Sequence, residues 1–312
     1  MKANKLNLRG VARKSPSGFL VPTVILAVLV LCSVAPALAS PRYTAGTEGV
    51  KAASLPPPGF HYRFYYVNAN FDELKDNNGN EVPIGLDLDI VAYVQRFVYM
   101  SGKKLFGADY GGNVIVPVTD IDMKTEFGSN DSSGFGDICI EPFLLGWHKD
   151  RYDMSLGLSA IAPTGKYDKD RAVNNGHGFW STMLSFGGTW FFDEHKSLSA
   201  SVLTRTVYSF ENNDTNEQKG MEFDAEWGIG KTIPMGNFLV QPGICGFGQW
   251  DISDHDGTAH DDHRYQKYAI GAELNLFWLP SHVQGNLRAL YDFETENGPE
   301  GSQIVVTLTK SF

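Results

Sequence analysis

Apolar and polar side chains alternate with a period of two along most of the chain beyond residue 59. In residues 60–66 (FHYRFYY) the aromatic rings at even positions share one face, while His61 and Arg63 lie on the other. Successive side chains of a strand point to opposite faces, so this pattern predicts strands with one apolar and one polar side. Twelve such strands are predicted, near residues 59–68, 84–99, 105–118, 134–147, 152–162, 179–192, 197–210, 220–233, 238–250, 264–278, 283–294 and 302–312.

The connections between these strands alternate in length. Short ones are predicted near residues 100–104, 148–151, 193–196, 234–237 and 279–282, and long polar ones near residues 69–83, 119–133, 163–178, 211–219, 251–263 and 295–301. An even number of strands with alternating connections is typical of bacterial outer-membrane proteins. The sequence therefore predicts an all-β fold: a closed antiparallel up-and-down transmembrane β-barrel of about 12 strands. Its short turns would be periplasmic and its longer loops extracellular.

The first 39 residues have the layout of a secretion signal. A basic stretch ends at Lys14, an apolar stretch follows, and Ala37 and Ala39 form a small-x-small cleavage site before Ser40. This pattern predicts a signal peptide over residues 1–39, with a membrane anchor as the alternative. Residues 40–58 look irregular and end in three prolines, which predicts a periplasmic segment or one that plugs the barrel lumen. Residues 59–312 form the predicted barrel.

The last predicted strand ends the chain with an aromatic residue. Ile304, Val306, Leu308 and Phe312 share one face of this strand. A terminal aromatic residue after an alternating strand resembles the signal that the outer-membrane assembly machinery reads. Phe312 is therefore the predicted assembly signal. Outer-membrane lipid, lipopolysaccharide and that machinery are the predicted partners, and the outer membrane is the predicted location.

Composition and charge narrow the class further. The chain has 312 residues, 42% of them hydrophobic and 20% charged, which excludes a disordered or collagen-like protein. Its net charge is −10, and five of its 26 cations lie in the first 39 residues, which leaves 21 cations against 36 acids, or −15. Such an acidic chain is a poor partner for nucleic acid. Cys139 and Cys245 could pair, although no pattern requires it.

Several short motifs recur around glycine and proline: residues 46–59 (GTEGVKAASLPPPG), 134–138 (GFGDI) with Pro142, 162–168 (APTGKYD), 176–180 (GHGFW) and 228–230 (GIG). Together they resemble motifs of the family of meta-pathway phenol degradation proteins. The resemblance implies an outer-membrane transporter linked to the breakdown of aromatic or other hydrophobic compounds. The word degradation then refers to genetic context rather than to chemistry done by the barrel. By their residue types alone, the glycine motifs fit loop geometry better than substrate contact.

No catalytic site is predicted. The chain contains no Gly-x-Ser-x-Gly motif, and we expect no enzyme and no cofactor. The acidic and histidine-rich loop with His255, Asp256 and residues 260–263 has ligand types that suit a divalent metal, but a solvated acidic loop is the preferred interpretation, so no metal site is predicted.

The functional candidates are charged residues whose strand parity points them into the lumen. Charges on the lipid face would cost about 2–4 kcal/mol each at mid-depth, which constrains this parity. The predicted transport path consists of Arg63, Asp87, Asp89, Asp137, Glu141, Arg205, Glu222, Asp224, Glu226, Glu273, Arg288 and Asp292. Packing of the lumen by ion pairs is the alternative role for any one of them.

Two functions agree with these patterns. The first is an outer-membrane channel for passive uptake of small hydrophobic or aromatic solutes. The alternative is a non-conducting structural or adhesive barrel, which an acid-rich outer surface also permits.

Overall fold

A computed structural model describes residues 41–257 and 264–312. The predicted signal peptide and the loop residues 258–263 lie outside the described residues. The described chain contains fourteen strands and one short 3₁₀ helix. The strands are β1 (Gly59–Lys75), β2 (Asp87–Leu105), β3 (Ala108–Thr125), β4 (Gly128–Phe135), β5 (Ile138–His148), β6 (Tyr152–Ala162), β7 (Ser181–Phe191), β8 (Leu198–Ser209), β9 (Glu222–Lys231), β10 (Ile233–Met235), β11 (Phe238–Asp251), β12 (Gln266–Trp278), β13 (Val283–Glu296) and β14 (Gly298–Ser311).

The strands form one closed antiparallel barrel. β4 and β5 are two parts of one wall strand, as are β9 and β10, so the wall has 12 strands. β9 pairs with β11, and the last strand, β14, pairs with β1, which closes the ring. Both ends of the barrel chain therefore lie at the short-turn end, which is periplasmic in barrels of this type. Among the described residues, no helix is long and apolar enough to cross a membrane.

The two faces of the wall differ in polarity as the alternation predicts. On β7 the outward side chains Leu184, Phe186 and Trp190 are each about half exposed, while Ser185 and Thr189 are buried. Lipid tails cannot satisfy a polar group, whereas the barrel interior can supply hydrogen-bond partners. The apolar face is therefore the outer face, and the polar face lines the lumen.

Aromatic pairs mark both ends of this apolar belt. Trp190 stacks on Tyr152 with ring centroids 6.1 Å apart, and Trp278 stacks on Phe238 at 6.3 Å, both at the short-turn end. Trp250 lies at the opposite end, at the close of β11. Amphipathic rings favour the membrane–water interface, so these residues form the two girdles expected of a membrane barrel.

Three predicted loops are partly or largely strand. Residues 119–133 form most of a β3–β4 hairpin, β1 extends to Lys75, and the 295–301 connection narrows to a turn at Asn297. The predicted turn at residues 100–104 is also strand, and the chain turns instead at Phe106 and Gly107. Beyond the membrane a strand has water outside it, so its residues can pair without the apolar alternation that identifies a strand in sequence.

Cys139 and Cys245 are both buried and both free. They belong to different apolar clusters inside the barrel, on β5 and β11 respectively. The structure therefore contains no disulfide between them.

Phe312 is held at the seam where the barrel closes. Its backbone amide donates to the Phe60 carbonyl at 3.0 Å, and its ring lies 5.8 Å from that of Phe60. The Phe312 side chain itself is 74% exposed.

We expect the folded protein to migrate differently from the boiled protein in an electrophoresis gel, because closed strand pairing resists detergent. Deleting Phe312 should lower the amount in the outer membrane, measured by fractionation and immunoblotting, whereas Lys310→Ala should not. Recovery of the wild-type protein as a soluble periplasmic monomer would contradict the barrel.

Candidate functional site in the barrel interior

The interior of the barrel contains the segment of residues 41–58, here called the N-terminal segment. It contacts inward side chains on strands all around the wall. Arg42 lies at the long-loop end, where its guanidinium donates to Asp251 Oδ1 at 3.0 Å and to the Gly220 carbonyl at 2.7 Å. The other end is at the short-turn side, where the Pro57 carbonyl lies 2.9 Å from His61 Nε2. The segment therefore runs along the length of the lumen.

Two carboxylates of β9 bind the N-terminal segment between residues 42 and 48. Glu222 accepts hydrogen bonds from the backbone amides of Arg42 and Tyr43, both at 3.0 Å. Glu226 accepts from the Tyr43 hydroxyl at 2.8 Å and from the Glu48 amide at 2.9 Å. Both side chains are fully buried, so these charge-assisted bonds form away from water.

Arg205 of β8 completes this group. It forms an ion pair with Glu226, and its guanidinium lies 4.0 Å from the centre of the Tyr43 ring. Asp224 lies between Glu222 and Glu226 on β9, opposite Arg205 on one side and Gln249 on the other. The four predicted residues of β8 and β9 are thus brought together.

The middle of the N-terminal segment places a carboxylate among cations. Glu48 is only 7% exposed. Its oxygens lie 3.2 Å from Arg63 Nη1 and 3.0 Å from Arg96 Nη1, and the Tyr65 hydroxyl donates to Glu48 Oε1 at 2.9 Å. Arg96 is an inward-facing residue that the sequence interpretation missed, because the parity assigned to β2 pointed it to the lipid.

Residues 47–50 of the N-terminal segment pack closely against the wall. The Val50 amide donates to Glu273 Oε2 at 2.8 Å, and Arg288 donates to the Thr47 carbonyl at 2.6 Å and pairs with Glu273 at 3.3 Å. A side chain at Gly228 would lie 2.5 Å from the Val50 nitrogen, so glycine is required where the segment crosses β9. This explains one glycine of the 228–230 motif.

Two further predicted residues line the lumen away from the segment's hydrogen bonds. Glu141 is buried and accepts from Asn113, Ser159 and Ser185, with Arg96 at 3.9 Å. Asp292 pairs with Lys267 at 2.8 Å. Lys267 is a second inward cation that the sequence interpretation missed.

The predicted inward direction is wrong for Asp87 and Asp89. Asp87 is exposed beside Lys124, with 3.7 Å between the charged atoms, and Asp89 accepts from the exposed Asn70. Their neighbours Leu86 and Leu88 are buried instead. This end of β2 lies above the apolar belt, where the outer face meets water and carries the charges, so the polarity of the two faces reverses.

Asp137 lies at the outer rim, between β4 and β5, and organises the family-like motifs. Its carboxylate accepts from the Gly165 amide at 2.9 Å, from the His177 amide at 2.8 Å and from the His177 ring at 2.9 Å. Thr164 Oγ1 accepts a hydrogen bond from the Ile138 amide at 2.9 Å. Three motifs that are far apart in sequence thus meet around one carboxylate, which fastens residues 163–178 to the rim.

Burial alone would raise the pKa of Asp137, but the hydrogen bonds and charge of His177 and the bond from Gly165 hold this pKa below its ordinary value. A lowered folded-state pKa stabilises the docked loop above the ordinary value of about 3.9, and this stabilisation is lost only as the pH falls through the lower folded-state value.

We expect Asp137→Ala to release residues 163–178, with an opening free energy lower by about 1.5–3 kcal/mol, the usual contribution of hydrogen bonds to a charged acceptor. Hydrogen exchange at the Gly165 and His177 amides measures this change. Asp170→Ala, an exposed change in the same loop, should leave those amides protected. Equal exchange in both variants would contradict the anchoring role of Asp137.

Comparison with known proteins identifies the family of this chain. The family model described as "Putative MetA-pathway of phenol degradation" matches residues 71–308. The chain belongs to this family. No curated protein sequence matches it significantly.

Solved structures share the fold. An outer membrane channel from Pseudomonas putida F1 is 16% identical, with a TM-score of 0.73, and the alignment covers 87% of this chain and 100% of that one. The β domain of the Bordetella autotransporter BrkA is 11% identical, with a TM-score of 0.52, over 82% of this chain and 100% of that one. These similarities establish an outer-membrane barrel fold for this member of the family.

Proposed function

We propose that the protein is a passive outer-membrane channel for small hydrophobic or aromatic compounds, with no chemistry of its own. The observation that carries this proposal is the content of the lumen. It is occupied by a segment that precedes the first strand and is held by hydrogen bonds, ion pairs and small apolar clusters. None of residues 41–58 belongs to a strand of the wall, so the segment can leave the lumen while the strand pairing of the wall stays intact.

The family and the fold support this proposal from another direction. The family's description concerns phenol degradation, and the Pseudomonas putida structure with the same fold is that of a channel. A cell that degrades aromatic compounds must first admit them across its outer membrane. A barrel with a polar lumen is suited to that step.

Each part of the chain has a place in this proposal. We assign residues 1–39 as a cleaved signal peptide, residues 40–58 as a lumen plug and residues 59–312 as the transmembrane barrel. Phospholipid and lipopolysaccharide surround the wall, and Phe312 is the assembly signal. The solute path then consists of the inward residues Arg63, Glu141, Arg205, Glu222, Asp224, Glu226, Glu273, Arg288 and Asp292, with Asp137 at its outer rim.

Growth and conductance test the proposal together. A strain that lacks the protein should grow more slowly on limiting aromatic carbon sources, and a plasmid copy should restore growth. The purified protein should conduct ions in planar bilayers. Normal growth of the deletion strain would favour the structural or adhesive barrel instead, if neither the intact protein nor a variant that lacks residues 41–55 conducts ions.

A further inference from the structure

The carboxylate of Glu48 is bound by the barrel as a ligand would be. Arg63 of β1 and Arg96 of β2 are direct cross-strand partners, and both lie within 3.2 Å of a Glu48 oxygen. The Tyr65 hydroxyl adds a neutral donor at 2.9 Å. Two guanidinium groups and a hydroxyl that converge on one carboxylate form a strong anion site, because such bonds are shorter and stronger than neutral ones.

These two arginines depend on Glu48 for charge compensation. In the part of the chain that the structure describes, no other carboxylate forms an ion pair with Arg63, and Arg96 has only Glu141 as well, at 3.9 Å. The Arg96 Nε atom is buried and has no hydrogen-bond partner among the described groups. If the N-terminal segment leaves, two buried cations therefore face the lumen with unused donors.

The other nearby arginines are compensated by the wall itself. Arg205 pairs with Glu226, and Arg288 pairs with Glu273. Both wall pairs remain when the segment leaves. The unmet positive charge is therefore localised at Arg63 and Arg96, which makes this position, rather than the lumen as a whole, the anion site.

We propose that Arg63, Arg96 and Tyr65 form a carboxylate-binding subsite of the solute path, and that Glu48 occupies it when no solute is present. This inference rests on the proposed channel and narrows its substrate class to small organic monocarboxylates, aromatic acids included. A carboxylate solute binds the two arginines in place of Glu48 and so displaces the segment. A neutral phenol has no charge with which to compete.

Equilibrium dialysis of the purified full-length protein with benzoate and with phenol tests this proposal, since the two probes share a ring and differ in charge. Glu48→Gln removes the internal competitor and should tighten benzoate binding about tenfold, as expected for loss of a charge-assisted contact. Arg63→Ala and Arg96→Ala should abolish benzoate binding. Phenol binding should not respond to any of the three changes.

Glu194→Gln is the matched control, because it makes the same change in an exposed short turn. It should leave benzoate binding unchanged. Heat modifiability confirms that each variant is folded, and the conservative Glu48→Gln keeps the test valid if an arginine variant fails to fold.

Benzoate binding no tighter than phenol binding, or unaltered by Glu48→Gln, would overturn the carboxylate subsite. The channel would still stand in that case if the plug-deleted protein conducts. Conversely, benzoate binding without conductance in any variant would reject the channel, and with it the transport role of this subsite.

Discussion

Deleting residues 41–55 is expected to raise the single-channel conductance in planar bilayers more than any point substitution does. The deletion removes the hydrogen bonds that Arg42, Tyr43, Glu48 and Val50 make to the wall and vacates the lumen along its length. Residues 56–58 remain and join β1, so the strand pairing that closes the barrel is untouched. The folded variant should therefore still migrate differently from the boiled variant in an electrophoresis gel.

A single substitution can displace the same segment without shortening the chain. Gly228→Val places a side chain where the segment backbone now lies, with its Cβ 2.5 Å from the Val50 nitrogen, closer than packing allows. We expect this variant to conduct more than the wild type. Gly188→Val is the matched control, because Gly188 is also in a strand and a Cβ added there would have only the Asp153 carbonyl within 4 Å, at 3.8 Å. If the deletion folds correctly and conducts like the wild type, residues 41–55 do not limit permeation.

The second large effect is expected for Arg205→Ala. Removing this arginine leaves Glu226 fully buried without its cation and Tyr43 without the guanidinium over its ring. Breaking a buried ion pair from one side costs about 3–5 kcal/mol, because an uncompensated charge remains. Urea unfolding in detergent should show a clearly lower midpoint. The exposed Arg151→Ala, which removes a pair at 3.5 Å with Glu194, should change stability by less than about 0.5 kcal/mol.

A double substitution separates the charge from packing. In Arg205→Ala/Glu226→Gln the orphaned charge is gone, so part of the lost stability should return. If the double variant is no more stable than Arg205→Ala, the loss comes from packing against Tyr43 rather than from an unpaired carboxylate.

The sequence predicts the wall best where lipid enforces the pattern. β6, β11 and β13 begin at their predicted residues, and on β8 and β9 the predicted inward residues face the lumen. A charge facing lipid is costly, so only one assignment of the faces is stable there. At the outer end of β2 the outer face meets water and the inner face buries Leu86 and Leu88, so the same reasoning placed Asp87 and Asp89 on the wrong side.

The contents of the lumen could not be predicted in this way. Residues 41–58 have no periodicity, and their partners lie far away in sequence: Arg42 pairs with Asp251, and Ala45 accepts from Gln303. Nothing local distinguishes Glu48 from an exposed acid. Its role appears only when β1 and β2 bring Arg63 and Arg96 to the same level of the barrel. The only sequence signal is three prolines and a polar stretch before the first strand. This signal is equally consistent with a periplasmic segment and with a segment that plugs the lumen.

The course of the N-terminal segment also has a consequence for folding kinetics. It is synthesised before the wall, yet its hydrogen-bond partners span from β1 to β14, up to 258 residues away in sequence. Contacts of such long separation form slowly, because the intervening chain must be ordered first. Closure of the wall pairs β1 with β14 over a similar separation, so the segment has its complete set of partners only once the wall has closed. We expect the completion of docking to be the last phase of refolding. Every newly assembled barrel then passes through a stage at which its interior is not yet completely filled.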